Sequence, residues 1–169
     1  MGYTTYFDGA FTLNRPLTPE HRAYLLKFAD TRRMQRVAKL TAVLADPVRE
    51  AVGLPVGDEG GFYVGPDGGE VGQNRTGDIA DYNKPPAGQP GLWCQWVPNE
   101  LGTVIEHDGG EKFYYYVEWL EYLVEHFLKP WGYSISGEVT WSGEESTDHG
   151  KIVAKRNKIT TKVGRVVYE

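Results

Sequence analysis

The chain has 169 residues, 40% of them hydrophobic and 24% charged, which suits one domain with a real core. Its net charge of −5 argues against general affinity for nucleic acid or anionic membrane unless a local basic patch supplies it. The single cysteine, Cys94, rules out an internal disulfide and a cysteine-based zinc cluster.

Residues 3–13 alternate, with Tyr3, Thr5, Phe7, Gly9, Phe11 and Leu13 on one face, the pattern of a half-buried strand. Asn14 to Leu17 is a turn. Thr18 then caps a helix with Pro19 at its first position, and apolar residues at Tyr24, Leu25, Phe28 and Met34 carry it to about Gln35. A second helix is expected over about Leu40–Ala51, with Asp46-Pro47 weakening its first half and Gly53 ending it.

From Gly53 to about Trp93 the chain is punctuated by glycine and proline, longer than an ordinary connection unless it has a function. Gly57–Gly61 and Gly65–Gly69 carry acids that would repel phosphate, and they read as turns rather than phosphate loops. Leu92–Val97 and Thr103–Glu106 then form a hairpin. Glu111–Lys129 is the strongest helix, ended by Pro130. Phe113, Tyr116, Val117, Leu120, Leu123, Val124, Phe127 and Leu128 form its core stripe, and Tyr115, Trp119, Tyr122 and His126 form a second aromatic stripe. Three strands follow, over about 133–142, 151–155 and 158–163. Strands and helices do not alternate as βαβ units, so the expected fold is α+β: one domain with a mostly antiparallel sheet, two main helices on one face and the long loop. No window is as long and apolar as a membrane span of about 18 residues. The N-terminus lacks the basic region and apolar run of a signal peptide, so a cytoplasmic location is expected.

Several motifs run together through this order: Gly88-Gln89-Pro90-Gly91-Leu92-Trp93-Cys94-Gln95-Trp96, Glu111-Lys112-Phe113-Tyr114, Glu118-Trp119-Leu120-Glu121-Tyr122, Leu128-Lys129-Pro130-Trp131-Gly132-Tyr133 and Gly137-Glu138-Val139. With Tyr6-Phe7-Asp8-Gly9 and Thr31-Arg32-Arg33-Met34 near the start, the chain resembles a family of small uncharacterised proteins encoded in bacteriophage and bacterial genomes. The resemblance transfers no activity. It implies a phage accessory context, with the host cytoplasm as its setting, in which small proteins bind host factors or signalling nucleotides.

Among candidate site residues, the cations Arg32, Arg33, Arg36 and Lys39 stand out, because Arg32, Arg36 and Lys39 would share a helical face and guanidinium forks suit phosphate oxygens. The plainer reading is a solvated helix end. The exit of the loop carries Tyr82, Lys84, Trp93 and Trp96, rings on which a base can stack beside a cation. Trp93 and Trp96 have opposite strand parity, so one of them is expected outside the core. The second aromatic stripe of the long helix is either a protein interface or core margin beneath the loop. Glu106-His107-Asp108, with Glu138, are residue types that acid–base enzymes use, but they lack metal-ligand spacing. Cys94 reads as a buried thiol.

The leading expectation is a non-catalytic binding protein, with Arg32, Arg33, Arg36 and Lys84 holding an anionic, nucleotide-like ligand and Tyr82, Trp93 or Trp96 packing against it. No metal or cofactor is implied, and self-association is left open. The alternatives are a module that docks a host protein and a small hydrolase built on Glu106, His107 and Asp108.

Overall fold

The computed structural model describes residues 2–66 and 76–169. In chain order the elements are β1 (Thr5–Leu13), α1 (Pro19–Asp30), β2 (Gln35–Arg36), α2 (Ala38–Thr41), α3 (Pro47–Ala51), β3 (Ile79–Asp81), β4 (Trp96–Pro98), β5 (Val104–His107), α4 (Tyr116–Leu123), β6 (Ile135–Gly143), β7 (His149–Lys155) and β8 (Lys158–Val163). Every strand pairing is antiparallel, and the class is α+β. The chain gathers into two compact units, Met1–Pro16 with Gln95–Glu169, and Leu17–Cys94.

The first unit is a six-stranded sheet in the order β4-β5-β1-β6-β7-β8. β1 pairs along its whole length with β6, from Thr5↔Gly143 to Leu13↔Ile135. Phe11, Ile105, Ile135, Val139, Ile152 and Ala154 fill the inner face. Alternate residues such as Tyr6, Asp8, Ser136 and Thr140 face solvent. Gly9 has φ +108°, and a Cβ there would lie 2.6 Å from the Glu138 carbonyl oxygen. Gly9→Ala is therefore expected to cost about 2–4 kcal/mol, from left-handed strain plus overpacking, read as a lowered urea midpoint.

α4 starts at Tyr116 rather than Glu111, because Lys112 and Tyr115 both hold left-handed backbone (φ 59°). Its continuation, Val124–Leu128, widens into a π-type turn, with Lys129 N donating to Val124 O. Leu120, Leu123, Val124, Phe127 and Leu128 are buried as expected. The second aromatic stripe divides: Trp119 and Tyr122 are buried, whereas Tyr115 and His126 are exposed. Burial raises the Tyr116 phenol to about 12.

The second unit holds α1, α2, α3 and the β2–β3 ladder. Thr18 caps α1 by accepting from His21 N. The helix stops at Asp30, short of the expected Gln35: Thr31 is extended, and its hydroxyl donates back to Lys27 O. Arg32, Arg36 and Lys39 consequently share no helical face. Arg36 lies in β2 and Lys39 in α2. The expected second helix splits into α2 and α3, with Pro47 opening the latter.

Candidate functional site

Among its described residues the long loop is held in two ways: β3 pairs with β2, and several other backbone groups find partners among charged side chains, which answers the requirement that buried N–H and C=O groups be paired. Asp46 accepts from Val64 N and Gly65 N, and also from Arg49, whose Nη1 donates to Leu54 O. Arg33 is 1% exposed. Its Nη2 donates to Gly61 O (2.8 Å) and Tyr63 O (2.9 Å), and its Nε donates to Gln89 Oε1. The guanidinium lies 4.2 Å from the Phe28 ring centre.

Arg36 is similarly enclosed at 3% exposure. It donates to Asp78 Oδ2 at 2.7 Å and lies over the Tyr63 ring. Gly60, at φ +72°, leaves it room, since a Cβ there would stand 2.7 Å from the Arg36 Cβ. Thr41 and Thr76 also donate to Asp78. Burial pushes the Asp78 carboxyl up, but these three hydrogen bonds and the Arg36 charge outweigh it and hold it below the ordinary carboxylate value.

The surface of this unit presents a different group. β2 pairs with β3, and Gln35 N donates to Lys84 O (2.7 Å), so the segment after α1 meets the loop's exit. Arg32 donates from Nε to Tyr82 O (3.1 Å) and from Nη2 to Asn83 Oδ1 (3.2 Å), with its guanidinium 4.1 Å from the Tyr82 ring centre. Tyr82 and Asn83, together with Thr76, Ile79, Ala80 and Asp81, line an open polar hollow of about 290 Å³. Asp81 accepts from Asn83 N, a tight turn that fixes the rim.

Arg32 thus meets Tyr82, the Lys84 carbonyl meets Gln35, and Arg33 N donates to Leu92 O, which brings the Trp93 segment alongside. Arg33 and Arg36 themselves are sealed beneath the loop. Trp96 does not belong to this group. It is a core residue of the sheet unit, surrounded by Phe7, Phe11 and Phe113, with Nε1 donating to Tyr116 O. Trp93, the partner of opposite parity, is half-buried, and Cys94 is buried. Asp67, Gly68 and Gly69 of the second glycine tract lie outside the described residues.

His107, the centre of the enzyme alternative, stacks on Phe113 and lies against Phe7, with Nε2 3.0 Å from Gln95 Oε1. Burial holds its imidazole below the usual value despite the nearby Asp108. Asp108 accepts from Gly110 N, and Glu138 pairs with Lys151 across the hairpin. Among the described residues, no group of three or more His, Cys, Asp or Glu could hold a metal ion, and no helix is long and apolar enough to cross a membrane.

Sequence reasoning missed Asn83 and Asp78. The Asp81-x-Asn83 spacing is an Asx-turn signal that could have pointed to the first. The second is an acid of the long loop that supplies the counter-charge of Arg36, a buried arginine of β2. No protein-family model, curated protein or solved structure matches the chain. Fold and site together define an antiparallel α+β chain whose second unit carries a cation–aromatic rim around a polar hollow.

Proposed function

We propose that this protein is a non-catalytic binding protein that takes a small anionic, nucleotide-like ligand at the hollow rimmed by Arg32 and Tyr82. The observation that carries this reading is the stacked Arg32–Tyr82 pair at the edge of the polar hollow, with Lys84 exposed beside it. Arg32 and Lys84 supply positive charge for phosphate, Tyr82 an aromatic surface for a base, and Asp81 and Asn83 acceptors for hydroxyl or amino donors. Arg33 and Arg36 serve the ligand indirectly, by holding the loop that carries this rim. In the phage setting suggested by the family resemblance, such a protein would withdraw a host signalling nucleotide and so blunt a defence response in the cytoplasm.

Thermal-shift measurements with mono-, di- and cyclic nucleotides test this. A ligand at 100 times its Kd adds about 2.7 kcal/mol, a rise of about 5–10 °C for a chain of this size. Arg32→Ala should abolish the rise while leaving the unliganded melting temperature nearly unchanged, since Arg32 is only half-buried. The absence of a shift with every nucleotide would overturn the proposal. It would favour docking of a host protein instead, a reading supported by the exposed apolar side chains of Val37, Leu40, Val43 and Leu44 around α2.

A further inference from the structure

The acidic net charge conceals a local reversal. From Lys151 to Tyr168 there are six cations, Lys151, Lys155, Arg156, Lys158, Lys162 and Arg165, and no Asp or Glu, so a third of the chain's 18 basic residues fall in this stretch. The fold concentrates them further. In the β7–β8 register Lys151 stands directly opposite Lys162, and Lys155 directly opposite Lys158. Ile152 and Ala154, at the intervening positions of β7, are buried in the core. All four lysines therefore project from the other, outward face. Lys155, Lys158 and Lys162 are exposed, while Lys151 is half-buried and pairs with Glu138 at 3.3 Å. The hairpin turns through Arg156 and Asn157, both with positive φ (47° and 72°), and places exposed Arg156 at its tip.

Like charges directly opposite on a sheet destabilise it. Lysines on an exposed edge such as β8 do discourage unwanted strand pairing, but edge protection does not require matching lysines on the inner strand β7. Glu138 offsets the charge of Lys151 alone; an external polyanion would offset all four. The two lysine pairs are four residues apart along the strands, about 13 Å at the usual strand rise. That matches the roughly 12 Å major groove of duplex DNA, which admits a two-stranded ribbon. Between the two pairs Val153 is buried beneath its neighbours on this face and Thr160 opposite it is exposed, so the surface offers little to read bases with.

We infer that the outward face of the β7–β8 hairpin is a sequence-independent binding surface for duplex nucleic acid, its two lysine pairs reaching the phosphates on either side of the groove. This surface is separate from the hollow proposed above, and the two stand or fall independently.

Fluorescence anisotropy with a labelled 20-base-pair duplex across a salt series tests it. Four lysine–phosphate contacts give a log–log salt slope near −3.6, or roughly 150-fold weaker binding between 50 and 200 mM salt. Lys158→Gln/Lys162→Gln should reduce the slope to about −1.8, or roughly 12-fold over the same range, with circular dichroism unchanged because both side chains are exposed. Lys158→Arg/Lys162→Arg should retain the full slope. No binding at 50 mM salt, or a slope unaltered by the glutamine pair, overturns the inference. Displacement by polyglutamate as effective as by unlabelled duplex overturns it too, and assigns the face to an acidic protein partner.

Discussion

Arg33→Ala is expected to lower unfolding free energy by about 3–5 kcal/mol, the range seen when a buried charged group's partners are stranded. For a chain of this length that corresponds to a fall in melting temperature of about 6–20 °C. Three acceptors, Gly61 O, Tyr63 O and Gln89 Oε1, take hydrogen bonds from this one side chain, and Gly61 O keeps only its second bond, from Gln89 Nε2, when it is gone. Removing it takes those bonds away where water is excluded and empties the space over Phe28. Arg33→Lys should recover little, because a point-charge ammonium cannot reproduce a planar fork that serves three acceptors and lies over a ring. Urea denaturation followed by tryptophan fluorescence measures the loss. A fully stable Arg33→Ala that no longer responds to nucleotide would show that the side chain turns outward to the ligand, contrary to the packing described above.

The second large effect concerns Asp78. Asp78→Asn keeps the shape but removes the carboxylate charge paired with Arg36, whose Nη2 has no hydrogen-bond partner among the described residues. A loss of about 3–5 kcal/mol is expected near neutral pH, the usual cost of leaving a buried charge uncompensated. The pH dependence follows from the depressed carboxyl. A folded-state value below the unfolded one, near 3.9, makes the stabilisation fully present above that value and removes it as pH falls through the folded value. Wild type and Asp78→Asn should therefore differ most above about pH 5 and converge in stronger acid. Parallel denaturation curves for the two proteins at pH 7 and pH 3, separated by the same free energy, would contradict the role given to the ion pair.

Much of the fold is legible in the sequence where the pattern is periodic or a cap is local. The alternation of β1, the Thr18-Pro19 start of α1 and the C-terminal strands all appear where residue spacing puts them. The helix boundaries were less legible for a specific reason. Thr31 ends α1 with a side-chain bond to Lys27, and Tyr115 starts α4 from a left-handed conformation that non-glycine residues seldom adopt. Neither event leaves a periodic trace. The misplaced end of α1 also obscured the site. Neighbouring residues of extended chain face opposite ways, so Arg32 lies at the rim while Arg33 is buried, a distinction invisible if both are assigned to a helix. The pairing of Tyr82 with Arg32 could be suggested by residue chemistry. The ordering of the loop could not, because its bonds join Arg33 to Gly61 and Arg36 to Asp78, pairs that no local spacing connects.

The register of β1 against β6 also constrains how the protein comes into being. Thr5 leaves the ribosome long before its partner Gly143, and Leu13 waits for Ile135. Until β5 and then β6 are made, the strand carrying Phe7 and Phe11 lacks its sheet partners, and closing so large a loop is entropically slow. The later meander of β6, β7 and β8 joins near neighbours and can assemble quickly. Translation thus makes β1 well before the strands it pairs with, and a nascent chain must keep those two phenylalanines from other company until the partner strands emerge.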